Sequence, residues 1–373
     1  MQTKKQKAKR FEDIIMKPIG FDIFSGAGGL SLGAQWAGID VKTAIEISPS
    51  AAMTYKRNHP KANVIQGDIQ KIDAKDFVSK DKPVFIIMGG PPCQGFSMSN
   101  TMSRNMNNPK NFLFREFVRF VQDIKPEWFL FENVWGFTKM EQGHIEEMIQ
   151  GLFESLGYKV NHAVLWAHEY GVPQKRNRFF MVGNRAGIDF EFPQPNKESF
   201  VTVKEAIDDL PYLKNGDMIN AAPYTKSYEE ASDYEKLMRK GSKEARQNYV
   251  SKNNDLVIQR YHYIHQGQNW RAIPDFLMQN YADKKRCHSG IYKRLKEDAP
   301  SVVISNYRKS MLIHPTVDRG ISVREAARLQ SFPDNFIFDG PISHIQQQIG
   351  NAVPPLLAKA VFEKILSYYP KHE

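Results

Sequence analysis

From Phe21 to Gly183 short apolar runs alternate with glycine-bearing turns and stretches of helical apolar spacing, the pattern of a layered α/β sheet. Phe21-Asp-Ile-Phe24 reads as a strand, Ser25-Gly-Ala-Gly-Gly29 as a tight turn, and Leu30 to Trp36 as a helix. Thr43-Ala-Ile-Glu-Ile47 and Asn63-Val-Ile-Gln66 follow as strands, with Ser48-Pro49 opening the helix between them. Val84-Phe-Ile-Ile-Met88 is a fourth buried run. Downstream, the spacing predicts helices over 112–124 and 144–156, a strand over 128–131, and a strand pair over 160–166 and 178–182. The fold class is therefore α/β with a doubly wound, mainly parallel sheet.

Ligands of such sheets collect beyond the carboxyl ends of the strands, and there the chain carries chemistry. In Gly26-Ala-Gly28 small residues let the backbone approach a ligand, and the following helix offers free N–H groups. The third glycine of the dinucleotide fingerprint is missing at its expected place, which favours a nucleotide-type cofactor other than NAD. Glu46, eighteen residues beyond Gly28, suits a ribose diol. Asp68, after the third strand, can accept from an adenine amino group.

The fourth run ends in Gly89-Gly-Pro-Pro-Cys-Gln-Gly-Phe-Ser97, where two glycines and two prolines stiffen the turn around Cys93. A lone loop cysteine usually signifies nothing. Here Phe131-Glu-Asn-Val134 and Gln174-Lys-Arg-Asn-Arg178 bring an acid and a cation cluster to the ends of neighbouring runs, which favours a nucleophile. Cys93 and Cys287 are too few for a disulfide framework, and a functional free thiol needs a reducing compartment, so the expected location is the cytoplasm. The polar stretch Ser97 to Asn111 is expected to close over the site.

The net charge of +10 is unevenly placed: Lys236 to Lys296 holds 14 Lys/Arg against 4 Asp/Glu, and the first ten residues add five cations. Tyr261, Tyr263, Trp270, Tyr281 and Tyr292 interleave with that segment, as expected for a polyanion partner, although a solvated surface over an aromatic core gives the same text. Prolines 193, 195, 211 and 223 break up the region after Phe190. Ser322-Val-Arg-Glu325 is a capping box, and Gln348-Ile-Gly-Asn-Ala-Val-Pro-Pro355 turns into an apolar terminal helix. No apolar stretch approaches the roughly 18 residues of a membrane span.

Taken together, these residues resemble the cytosine-C5 DNA methyltransferases of bacterial restriction-modification systems. Phe21 to Leu30 is similar to that family's cofactor loop, Gly89 to Ser97 to its nucleophile loop, and Phe131 to Val134 and Gln174 to Arg178 to its acid and arginine motifs. Arg324 to Asp334 and Gly350-Asn-Ala-Val353 resemble its two C-terminal motifs, in the usual order. The resemblance implies a Rossmann-like domain that binds S-adenosyl-L-methionine against Phe24, Gly26, Gly28, Gly29, Leu30, Glu46, Ile47, Asp68, Ile69 and Pro92. Leu113, Asn351 and Val353 would lie nearby.

It also implies that Cys93 adds to C6 of a cytosine flipped out of duplex DNA while Glu132 protonates or hydrogen-bonds N3. Arg178 would hold the O2 side, and Arg176 the sugar-phosphate or Glu132 itself, the two being interchangeable; Gln174 belongs to the same motif. No metal is implied. The division implied is a basic tail (1–18), a catalytic domain (19–189), a smaller, irregular target-recognition lobe (190–310) and C-terminal motifs returning to the catalytic domain (311–373). The partners are double-stranded DNA and, functionally, a cognate restriction endonuclease; the chain is expected to be a monomer.

Two departures stand out: Lys110-Asn111 where the family usually has Arg-Asn, and Val303-Ile304 near its usual Thr-Ile/Leu. A tRNA cytosine-5 methyltransferase on the same scaffold is the close alternative. A non-catalytic DNA-binding module is the other, and it would have no use for an acid, a thiol and an arginine pair.

Overall fold

The computed structural model describes residues 17–77, 83–92, 113–280, 290–305, 307 and 311–369, without the side chains of 139–142. Cys93, Cys287, Tyr281, Lys110-Asn111, the 97–111 stretch and residues 1–16 of the basic tail lie outside the described residues.

The first half is β1 (Ile19–Ile23), α1 (Gly29–Ala37), β2 (Asp40–Glu46), α2 (Pro49–Asn58), β3 (Asn63–Gln66) and β4 (Ile86–Gly89). It continues through α3 (Phe114–Ile124), β5 (Trp128–Val134), α4 (His144–Ser155), β6 (Lys159–Trp166) and β7 (Asn177–Asn184). The seven strands form one sheet in the order β3-β2-β1-β4-β5-β7-β6. β7 alone runs against its neighbours β5 and β6. The chain winds outward from β1 to β3 and restarts on the other side of β1 with β4, so the strand order reverses between β1 and β4. A crevice opens there at their carboxyl ends.

Both faces of the sheet are covered, which is why its central strands read as continuous apolar runs rather than alternating ones. On one face Phe129, Phe131 and Phe179 pack with Phe117 of α3 and Phe153 of α4. On the other, Met88, Leu130 and Phe180 pack under Leu30 and Ala34 of α1 and Leu357, Val361 and Phe362 of the last helix.

Most elements start or end a few residues from the sequence reading, and three of these differences bear on the site. Phe24 leaves β1 with φ 62, starting the turn one residue early. β5 runs through the acid to Val134, because Glu132 stays paired with Phe180 of β7 and its charge meets an arginine there. Gln348 to Asn351 is helical rather than part of the turn.

Beyond β7 come α5 (Val203–Ile207), β8 (Met218–Ala222), α6 (Asp233–Arg239), β9 (Ala245–Tyr249), α7 (Asp255–His262), α8 (Val323–Leu329), α9 (Ile342–Asn351) and α10 (Pro355–Ser367). β8 and β9 form a separate antiparallel pair. Capping boxes at Thr202–Glu205, Ser232–Glu235 and Ser322–Glu325 start α5, α6 and α8. Val203, Leu210, Tyr234 and Met238 share one buried cluster with Val323, Ala326, Phe332 and Ile349, so the region after Phe190 builds its core on α8 and α9. α10 alone completes the sheet's helical layer. Among the described residues no helix is long and apolar enough to cross a membrane.

Candidate active site

A cavity of about 450 Å³ opens at the carboxyl ends of β1, β2, β4 and β5. That is the size of a small-molecule cofactor site. Phe24, Gly26, Gly29, Leu30, Glu46, Ile47, Pro92, Asn351 and Val353 are among the residues that line it.

The glycine turn is dictated by its neighbours. Gly28 has φ 93, and a Cβ there would come within 2.4 Å of Nε2 of His59. His59 is buried, and burial lowers its pKa to about 4, so a neutral imidazole props the turn. Glu46 accepts the Gly26 amide on Oε2 (2.8 Å) and the Ser48 amide on Oε1 (2.7 Å). Burial raises its pKa while those two amides oppose the shift. Each carboxylate oxygen keeps a second lone pair, enough for a diol. Ile47 is 66% exposed at the cavity mouth, an apolar face for a flat ring.

Four expected cofactor residues lie beside the cavity rather than in its lining: Gly28, Asp68, Ile69 and Leu113. Asp68 caps a short 3₁₀ turn by accepting the Gln70 amide (3.1 Å). Ile69 and Leu113 pack into the aromatic core. Several lining residues escaped the sequence reading, Asp22 foremost. Asp22 in β1 accepts from the Ser31 hydroxyl (2.5 Å) on Oδ2, and its buried Oδ1 has no partner among the described residues. Burial, helped by the charge of Glu46, raises its pKa to about 7. The available signal was an acid inside an otherwise apolar strand. Ser50 and His344 also reach the mouth, their side chains 3.3 Å apart, and nothing in sequence marked them as neighbours.

The catalytic end of the cavity is built by β4 and β5. After β4, Gly90 passes so close to Glu132 that a Cβ there would sit 2.4 Å from Oε2. Only glycine lets this turn lie on the acid. Asn133 anchors the same turn by donating to the Pro91 carbonyl (3.1 Å). Glu132 pairs with Phe180 and Val134 with Arg178 across β5 and β7, which puts Glu132 and Arg178 diagonally on one face. Nε of Arg178 lies 2.7 Å from Oε1 of Glu132. Burial drives both towards neutrality: it raises the Glu132 pKa and lowers that of Arg178, and their mutual attraction only partly offsets the shifts. Such a carboxyl can carry and deliver a proton.

Arg176 and Gln174 require correction. Arg176 is 2% exposed and donates to the carbonyls of Ile304 (2.8 Å) and Gly350 (2.7 Å), so it neither orients Glu132 nor faces a sugar-phosphate. Gln174, fully buried, donates to the Leu329 carbonyl and Oε1 of Gln330 and accepts the Ile304 amide. Together they clasp the Val303-Ile304 segment and the end of α9 to the root of β7. The Gln174-Lys-Arg-Asn-Arg178 spacing places both arginines on one side and cannot say which of them reaches the acid.

The basic segment is also less exposed than its composition suggests. Arg239, Arg260 and Arg294 are buried in contacts to Asp209, the Leu277 carbonyl and Asp318. Tyr261 and Tyr292 are core residues, whereas Tyr263 is 41% exposed.

Residues 20–367 match the family model for C-5 cytosine-specific DNA methylases. The Type II methyltransferase M1.HphI of Haemophilus parahaemolyticus is 35% identical over 348 residues, covering 92% of this chain and 86% of the relative. M.DdeI of Desulfomicrobium norvegicum is 35% identical over 370 residues, covering 93% and 88%. A solved E. coli structure, described as a DNA modification methyltransferase encoded within a prophage, superposes with a TM-score of 0.75 at 28% identity, covering 94% of this chain and 99% of that one. With the sheet, the cavity and the buried acid in place, the chain belongs to the C-5 cytosine-specific DNA methylase family and is a DNA (cytosine-5-)-methyltransferase.

Proposed function

We propose that the enzyme methylates C5 of a flipped cytosine within a specific duplex sequence and so shields DNA from a cognate restriction endonuclease, acting as a monomer in the cytoplasm. The observation that carries the mechanism is the Glu132–Arg178 pair lying against the Gly90-Pro91-Pro92 turn that leads to Cys93. Glu46, the glycine turn, the exposed face of Ile47 and the unpartnered Oδ1 of Asp22 fit a cofactor with a ribose, a flat base and a cationic end, which S-adenosyl-L-methionine has. When bound, that cofactor supplies a methyl group on a positively charged sulfur and leaves as the neutral thioether.

The remaining steps belong to the chain. The Cys93 thiolate forms a bond to C6, and the C5–C6 π electrons move into the ring as Glu132 gives its proton to N3. C5 thereby becomes an enamine carbon nucleophilic enough to be alkylated. Arg178, already on Glu132, also holds the O2 side of the base. The C5 proton then leaves to solvent water, its electron pair restores the C5–C6 double bond as the C6–S bond breaks to return the thiolate, and N3 gives its proton back to Glu132. The surface lysines of Lys236 to Lys296 supply the phosphate contacts, within a recognition lobe spanning 190–310.

DNA carrying 5-fluorocytosine at the target tests this. Fluorine cannot leave as a cation, so elimination stalls and a covalent complex that survives denaturing electrophoresis accumulates only with S-adenosyl-L-methionine. It should vanish in Cys93→Ser and persist in Cys287→Ser. Trapping without Cys93, or no trapping where ordinary cytosine is methylated, would exclude the mechanism.

A further inference from the structure

The carboxyl edge of the sheet continues past the acid to β6, and its last residue is exposed and aromatic. Trp166 pairs with Asn177, the residue before Arg178, and Arg178 pairs in turn with Val134 of β5. Two strand spacings, about 10 Å, therefore separate Trp166 from the strand that carries Glu132. Trp166 is 42% and Phe200 38% exposed, and His168 lies between them, its ring 5.7 Å from the tryptophan and 4.8 Å from the phenylalanine. The connection from β6 to β7 has two sides. Its inner side, Gln174 and Arg176, is locked into the interior, while its outer side carries His168 and exposed Lys175, with Phe200 from beyond β7 packed on His168.

Resting on the DNA-methyltransferase reading, the geometry points to Trp166, His168 and Phe200 as a contact surface for the DNA duplex beside the flipped cytosine. The carboxyl ends of β5, which carries Glu132, and of β6, which carries Trp166, lie on one edge of the sheet with only β7 between them. Alternation along β6 turns Trp166 to the face opposite Glu132, and a duplex whose major groove alone is about 12 Å wide spans both faces. Base extrusion unstacks and distorts the strand around it, which exposes base and sugar faces that aromatic rings cover well. Lys175 adds one cation, but Glu169 in the same turn offsets it, so the surface works through ring contact rather than counterion release.

The test uses the full-length enzyme and a duplex fragment containing a site that the parent methylates, located by bisulfite sequencing. Trp166→Ala combined with Phe200→Ala should weaken binding of that fragment by about tenfold, the effect of losing one base–aromatic contact. The slope of affinity against salt, cofactor affinity, and the single-turnover rate at saturating DNA should stay at parental values. Trp166→Phe should recover most of the loss, and 5-iodouracil placed beside the target should photo-cross-link to Trp166 or Phe200. Unchanged DNA affinity in the double variant of a methylating parent would overturn this inference alone. A parent that methylates no DNA would overturn the functional reading as well.

Discussion

Two buried arginine–carboxylate contacts in this enzyme use the same chemical groups, and their pKa values are shifted in opposite directions. Under α8, Arg328 donates to both oxygens of Asp334 (2.8 and 2.6 Å), to both oxygens of Asp209 (2.5 and 3.3 Å) and to the Ala206 carbonyl. Tyr224 adds a hydroxyl to Asp334 (2.7 Å). Burial alone would neutralise them, yet the pairing outweighs it: Arg328 is raised and Asp334 lowered from their ordinary values. Among the described residues Glu132 meets Arg178, which otherwise donates to the Asn177 carbonyl (2.9 Å), and burial prevails in both. The difference is the number of partners. The ion cluster matches most of its lone pairs and protons with one another, whereas the Glu132–Arg178 pair has fewer such contacts among the described residues, as the proposed role in holding a base requires.

That contrast can be broken most severely at the acid. Glu132→Gln keeps the shape but has no proton to give, so single-turnover methyl transfer should slow by about 10²–10⁴-fold, while the denaturant midpoint scarcely moves. A parental rate in rapid-quench experiments would remove Glu132 from the chemistry. Arg328→Met should do the reverse. It strands Asp209 and Asp334 without their main counter-charge and should cost about 3–5 kcal/mol in denaturant unfolding, with little change in the rate per folded molecule. A small loss would mean that Arg324 and Arg239 already carry the cluster.

Asp22 sharpens the comparison, since it is a buried carboxylate whose partner is a hydroxyl rather than an arginine. Its folded pKa of about 7 lies above the ordinary 3.8, so the native state binds its proton more tightly than the unfolded chain does. Its contribution to stability is then intact below about pH 4, falls as pH rises towards 7, and is constant above that. Asp22→Asn should flatten the pH dependence of stability of the cofactor-free protein by on the order of 4 kcal/mol across that window. A parallel pH profile for the variant would show that Asp22 is ionised throughout. The smallest effect is expected at the clasp: Gln174→Ala leaves the Ile304 amide unpaired and should cost about 1–3 kcal/mol without slowing single-turnover transfer. A rate loss at unchanged stability would return Gln174 to the catalytic set.

Much of this enzyme is determined by sequence alone because the determinants are local. The apolar runs, the glycine turn, the capping box at Ser322 and Glu325, and the candidate set of Cys93, Glu132 and an arginine all follow from neighbours within a few residues. The family's motif order fixes their chemistry. Tertiary structure alone decided how those pieces are shared out. That Arg178 rather than Arg176 meets Glu132 depends on the β5–β7 register and on carbonyls from residues 304 and 350 that occupy Arg176. Which cations of the basic segment remain for a polyanion depends on which the lobe buries, as it does Arg239, Arg260 and Arg294. Asp22 and His344 join the cofactor cavity only because strand order and the return of α9 bring them there. Charge and residue type are written along the chain, but burial and partner number exist only in three dimensions, and they separate the arginine held by carbonyls from the one that meets the acid.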